Sequence, residues 1–306
     1  VAALSPAQVD AAEAGHHPRP RPFLARATRV LGDWLPAVPL LVLIGLALVG
    51  PAVVLIIGSV TDEHGLTLES WIKVLSRRGD QTAILTSLQL AATVATISAL
   101  VGVPVAWAVS RMLRFSRATW TALLTVGGNF GGIGLGFAYF SVLGTVGMVT
   151  LAIQGAGIDF QPPRPSSFTG LVIGYLYTNV PLFVLLTIPA MGAIRDDWWE
   201  AAQVASATRS QFWRRVGIPV LAPFIFAGWL LIFTWSIGIY GLAYALAGAG
   251  AAMTTQLITL RIGDILTTDL NETWRANVLA VILMLLAVVS LLAYRALLRR
   301  GLRWFR

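Results

Sequence analysis

The chain has 306 residues, 57% of them hydrophobic and 12% charged, with a mean hydropathy of +0.76. A soluble domain carries about 25% charged residues, so the composition excludes an ordinary soluble domain and indicates an integral membrane protein. The formal net charge is +8 and cysteine is absent, which removes disulfides, thiolate chemistry and Cys-based metal sites.

Residues 1–30 are polar, Ala-rich and broken by Pro18, Pro20 and Pro22. They are expected to form a mobile cytoplasmic tail. No apolar core marks them as a signal peptide, so the first span is expected to serve as an uncleaved signal anchor. Residues 31–306 are expected to form one membrane domain. His16, His17 and His64 fall outside the spans, where solvation is the plain reading. No metal site or cofactor is expected.

Six segments are long enough for a hydrocarbon core of roughly 30 Å, which takes about 20 residues. They lie near 37–60, 83–110, 118–144, 169–193, 219–247 and 276–296, and their only charged residue is Arg295, at the very end of the last. The predicted fold class is therefore all-α, a six-span helical bundle. Basic residues set the orientation. With the N-terminus inside, 16 of the 22 Lys and Arg fall on the cytoplasmic side. The outer loops hold Lys73, Arg77, Arg78, Arg164, Arg261 and Arg275, with acids including Asp80, Asp264 and Glu272. Both termini are expected inside. The basic excess follows from topology and anionic lipid, so no nucleic-acid partner is expected. Trp34, Trp120, Trp274 and Trp304 sit at span ends, where the amphipathic indole prefers the headgroup level.

Within the third span the run Gly127-Gly128-Asn129-Phe130-Gly131-Gly132 looks like a nucleotide loop, but no lysine follows it. The only lysine is Lys73, in an outer loop. A P-loop needs a lysine at the phosphates, so this chain carries none. Gly128, Gly132 and Gly136 are spaced four apart and predict a tight helix crossing. Asn129, Tyr139, Tyr175, Tyr177, Asn179, Thr234, Trp235, Ser236, Tyr240 and Tyr244 carry the polarity of spans three to five. Polar groups in lipid need partners, so these residues serve either as helix–helix glue or as the lining of a solute path. Ion-coupled carriers place ionisable groups near the midplane. None is expected here, so energy for uphill transport comes from another subunit.

Between the fourth and fifth spans runs Asp196-Asp197-Trp198-Trp199-Glu200-Ala201-Ala202, continuing to Phe212-Trp213-Arg214-Arg215 and Gly217-Ile218-Pro219. The coupling segment 195–218 is expected to hold an amphipathic helix over 198–215. Asp197 is its expected N-cap, with Glu200 three residues on. Arg209, Arg214 and Arg215 fall toward the far end, and Gly217 and Pro219 are expected to stop the helix. On chemistry alone Glu200 also reads as a simple cap.

This pattern resembles the "EAA" loop of permease subunits of binding-protein-dependent ABC importers. The match runs through Glu200, Ala201, Ala202, Phe212, Ile218, Pro219 and Pro223. It departs at Ser206, where the family usually has glycine. The resemblance extends from about residue 80 onward. Gly102-Val103-Pro104-Val105-Ala106-Trp107 is similar to the end of a permease span. Asn129-Phe130-Gly131-Gly132 through Gly147, with Tyr175-Leu176-Tyr177 and Pro181-Leu182, is similar to the subset serving polyamines, ferric iron and phosphonates.

The resemblance implies a permease of the bacterial inner membrane that forms half of a solute pathway and does not itself hydrolyse ATP. It implies three partners: cytoplasmic ATP-binding subunits, a second permease subunit, identical or not, and an extracytoplasmic solute-binding protein. Glu200, Ala201, Ala202, Ser206, Arg209, Phe212 and Pro219 are then the residues expected to couple to the ATPase. Aromatic path residues suit a polyamine-like cation through cation–π contact. The alternatives are a carrier or channel working without an ATPase, and a membrane scaffold or sensor.

Overall fold

The computed structural model describes residues 35–62, 65–192, 194–248, 255–268 and 270–301. The expected tail over 1–30, the three histidines, Trp34 and Trp304 lie outside these residues. Two compact units are present, Val1–Val54 and Leu55–Arg306. In the first, the helix α1 (Val38–Val60) begins, and none of residues 36–54 is buried. Its mean hydropathy of 3.0 gives it an apolar surface on every side, as a lipid-facing span requires.

The second unit is helical apart from one antiparallel pairing of Thr61–Asp62 with Gly65–Leu66. In chain order it holds α2 (Glu69–Ser76), α3 (Arg78–Ser110), α4 (Arg114–Asn129), α5 (Gly132–Leu143), α6 (Met148–Gly155) and α7 (Phe168–Met191). There follow α8 (Asp196–Val204), α9 (Arg209–Gly238), α10 (Gly241–Ala243, running on as a π turn over Tyr244–Gly248), α11 (Ile258–Thr268) and α12 (Thr273–Gly301). Six helical stretches among the described residues are long and apolar enough to cross a membrane. The fold is all-α, as expected.

Two span predictions need correction. The third span, expected unbroken over 118–144, is broken at Phe130 and Gly131 into α4 and α5. Gly132 takes φ +70°, a left-handed conformation that glycine enters without Cβ clash. The stretch long enough to cross is instead Gly132–Gly155, which joins α5 and α6. The fifth span ends at Gly238 rather than running to 247, because Ile239 is extended at φ −71°, ψ 114°. The spaced glycines therefore do not share one helix. Gly128 lies against the backbone of Leu182 on α7, and Gly136 against Ala245, while Gly132 marks the break.

The core gathers where α3, α5, α7, α9 and α10 meet, around Leu90, Val94, Leu135, Leu171, Tyr175, Phe183 and Ile232. Phe183 is fully buried. A Cβ on Gly102 would lie 2.5 Å from its ring, and one on Gly228 would lie 3.2 Å away. Glycine on both flanking helices lets α3 and α9 close on α7.

One end of the bundle is fastened by charge. Asp80, at the start of α3, is fully buried, and Arg275, at the start of α12, is 3% exposed. Arg275 donates from Nε to Asp80 at 2.7 Å and from Nη1 to Glu272 at 2.5 Å. Arg77 donates to the same Glu272 at 2.9 Å, and Arg261 reaches Asp80 at 3.4 Å. The sequence placed all of these in outer loops. The structure instead sets Asp80 and Arg275 inside the first turns of spanning helices, where burial and pairing go together.

Candidate functional site

The opposite end of the bundle holds the predicted coupling segment. The helix α8 starts at Asp196 with Arg195 as N-cap, and no side chain caps it. Asp197 is thus not the cap. It lies inside the first turn and pairs with Arg195 at 2.5 Å. Asp197 still suits the positive end of the helix.

The single helix expected over 198–215 is broken in two, because α8 ends at Val204 in a Schellman turn. Ala207 N–H donates to Ala202 C=O at 2.9 Å and Ser206 N–H to Gln203 C=O at 2.9 Å. Ser206 takes φ +55°, the only non-glycine positive φ among the described residues. Serine here therefore adopts the left-handed conformation that glycine ordinarily occupies at a helix terminus. Immediately after it, Thr208 and Gln211 form a capping box that starts α9.

Gly217 and Pro219 do not stop the helix. The π turn Trp213–Gly217 carries α9 through them into the span. Proline lacks an N–H and crowds the preceding turn. A widened turn just before Pro219, with Ile218 N–H bonded to Trp213 C=O, accommodates it.

One side of α8 packs inward and the other stands clear. Trp198, Trp199 and Ala202 lie against a buried cluster of Val109, Ile188, Met191, Ile194, Phe212 and Leu221. Trp199 meets Phe212 edge-on at 5.3 Å between centroids, and Trp213 meets Trp107 at 4.8 Å. Glu200, Ala201 and Ser206 are exposed, and Val204 is 90% exposed. Of the seven expected coupling residues, Glu200, Ala201, Ser206, Arg209 and Pro219 are thus open. Ala202 is half-buried and Phe212 is 5% exposed, so these two hold the segment to the bundle. Val204 was missed. An apolar residue one turn from Glu200 in an otherwise small-residue stretch was the available signal.

The ten expected path residues separate. Asn129, Tyr177, Trp235, Tyr240 and Tyr244 are exposed, whereas Tyr139, Tyr175, Asn179 and Ser236 are buried and Thr234 is half-buried. Tyr175 donates its hydroxyl to Ile239 C=O at 3.2 Å, Asn179 donates to Tyr175 C=O at 2.7 Å, and Thr234 donates to Leu230 C=O at 2.8 Å. These are structural bonds. Asn129 likewise donates to Thr125 C=O. The exposed aromatics make two pairs: Tyr177 with Phe130 at 6.3 Å, and Tyr240 stacked on Tyr244 at 5.5 Å.

No protein-family model matches the chain. It is 27% identical over 188 residues to the molybdenum transport system permease protein ModB of Mycobacterium tuberculosis, covering 60% of this chain and 68% of that one. It is 33% identical over 96 residues to the sulfate transport system permease protein CysT of Salmonella typhimurium, covering 31% of this chain and 34% of that protein. In fold it matches a chain of the bacterial alginate ABC transporter crystallised with an alginate pentasaccharide-bound periplasmic protein. The TM-score is 0.67 at 14% identity, covering 90% of this chain and 96% of that one. That likeness establishes a shared fold.

Proposed function

We propose that the chain is the permease subunit of an ATP-driven importer in a bacterial inner membrane. It forms half of the solute pathway and receives its power through α8. The observation that carries this reading is the standing of α8: an open face of Glu200, Ala201 and Val204, backed by a rigid aromatic seat. Permeases among the relatives and the fold shared with an ABC transporter support it. The expected partners are cytoplasmic ATP-binding subunits, a second permease and an extracytoplasmic solute-binding protein. Closing of the ATPases around ATP pulls α8 and biases the bundle toward its outward-open state. The handle must therefore touch the two ATPase states differently, or it shifts nothing.

Cysteines at Val204 and Ser206 test the docking, since the native chain has none. In membranes that transport solute, each joins a subunit bearing an ATP-binding domain. Absence of cross-links at both sites in active membranes rejects the docked handle. Ala202, half-buried, is the weaker position. Glu200→Lys is expected to abolish uptake and leave membrane insertion intact.

For the solute, the exposed Tyr177, Trp235, Tyr240 and Tyr244 suit a polyamine-like cation. A second reading, a sulfate-like anion, is favoured by the relatives. Cells carrying the intact importer settle the choice by uptake of labelled spermidine against labelled sulfate.

A further inference from the structure

The helix α4 (Arg114–Asn129) has no buried residue. Unlike α1, it is not among the described stretches long and apolar enough to cross a membrane. Its depth is set by α7. A Cβ on Gly127 would lie 3.3 Å from the ring of Pro181, Gly128 lies against the backbone of Leu182, and Gly131 lies against Thr178. Residues 178–182 are the middle of α7 (Phe168–Met191), so α4 ends near the middle of the bilayer. Its start follows the turn after α3, at the end of the bundle that carries α8. From Arg117 to Asn129 the rise is about 18 Å, at about 1.5 Å per residue. That is close to half of a hydrocarbon core of roughly 30 Å.

The sides of α4 differ in character. Leu124, with Gly127 and Gly128, packs toward α7 and its neighbours. Phe115, Leu123 and Val126, all well exposed, form an apolar flank interrupted by Thr119. The other flank is polar or small. Arg117, Thr121, Thr125 and Asn129 recur every fourth residue, with Ala118 and Ala122 beside them; Thr121 is half-buried and the rest are exposed. Residues four apart share a helix face. Leu123 is two residues from both threonines, hence about 160° around the helix from each. Thr121 donates its hydroxyl to Arg117 C=O at 2.9 Å, Thr125 to Thr121 C=O at 2.7 Å, and Asn129 its Nδ2 to Thr125 C=O at 2.8 Å. The hydroxyls then show acceptor oxygen outward, and Asn129 shows its Oδ1.

A free helix side at this depth meets lipid or water. Lipid suits an apolar side, which α1 presents all round and which Phe115, Leu123 and Val126 present on α4. It does not suit Asn129 at the bilayer middle, because hydrocarbon leaves the Oδ1 without a partner. We infer that the line of Thr121, Thr125 and Asn129 faces water and forms the α8-side half of the solute path, offering acceptors to a solute that carries hydrogen-bond donors. The line leads up to Phe130 and the exposed Tyr177, whose rings are 6.3 Å apart. An oxyanion on this route would meet lone pairs. The inference rests on the importer reading and adds to it two path residues, Thr121 and Thr125, and the chemistry of the solute.

Single cysteines in the otherwise cysteine-free chain test it, in open membrane fragments that hold the assembled importer. Thr125→Cys and Asn129→Cys are expected to react with aminoethyl or sulfonatoethyl methanethiosulfonate about a hundredfold faster than Leu123→Cys, the factor for forming a charged thiolate in hydrocarbon. At Thr125→Cys, with each rate divided by that of a free thiol, the ammonium reagent is expected to outpace the sulfonate about tenfold, the factor for one charge-assisted hydrogen bond. Ala122→Cys, on the same flank, stands in where a variant fails to reach the membrane. Rates on the polar flank no faster than at Leu123→Cys overturn the water-lined path. A sulfonate as fast as the ammonium overturns the acceptor assignment. Reaction only in the chain purified alone makes the line a contact with the second permease and overturns the proposal. The Val204→Cys cross-link separates the two readings. Its presence beside an unreactive Thr125→Cys rejects the path and leaves the importer standing. Its loss beside a reactive Thr125→Cys rejects the importer and leaves a path that works without an ATPase.

Discussion

Ser206 shows how much one backbone angle decides. A left-handed conformation costs an L-residue about 1–2 kcal/mol, and glycine is the usual occupant of such a helix terminus. Ser206→Gly is therefore expected to stabilise the chain by about 0.5–1 kcal/mol, seen as a higher thermal midpoint. Ser206→Val, β-branched at positive φ, is expected to lower that midpoint and expose the α8 amides to hydrogen exchange. Burial separates the tyrosines of the expected path in the same way. Tyr175 is 1% exposed and bonded to Ile239, whereas Tyr177 is 53% exposed. Tyr175→Ala is expected to cost about 3–5 kcal/mol, the range for removing a buried aromatic, and to reduce folded yield. Tyr177→Ala is expected to spare yield and reduce uptake. Equal yields for the two would show that the buried ring is not structural.

Among the elements, the first turns of α3 and α12 carry the strongest claim. Asp80 and Arg275 lock these helices together inside the protein. Removing one member of a buried pair costs about 3–5 kcal/mol, because the other charge is left without compensation. Asp80→Asn is expected to lower stability by that order in a denaturant titration. Asp80→Asn combined with Arg275→Met is expected to recover part of the loss, since the stranded charge is gone. Glu272 adds a pH dependence. Hydrogen bonds first from Arg77 and then from Arg275 hold its carboxyl below the ordinary range. A lowered native pKa stabilises above the unfolded value of about 4.3. That contribution is lost as pH falls through the lowered native value. The α3–α12 end is thus expected to loosen on acidification below about pH 4, and Glu272→Gln is expected to flatten that response.

At the scale of the molecule, exposed aromatics mark where other chains or lipid belong. Phe137 is 69% exposed and Trp235 is 59% exposed, and large apolar surfaces of this kind signal partners or membrane. The importer reading places a second permease against this chain. Reconstituted alone in liposomes, the chain is expected to accumulate no solute under an imposed ion gradient. Sustained accumulation by the isolated chain would transfer the function to a carrier.

The sequence by itself determined the fold class, the number of spans and the position of the amphipathic segment, because each depends on local hydropathy and on which residues lie within one turn of each other. The Gly-rich run was legible as special, but its effect as a helix break at Phe130 and Gly131 was not. Glycine permits both a close crossing and a left-handed turn, and only its neighbours choose between them. Asp80 and Arg275 are 195 residues apart, so no local pattern announced their pairing. The open face of α8 and the separation of buried from exposed tyrosines were decided by packing. Burial and charge proximity belong to helices brought together from distant parts of the chain.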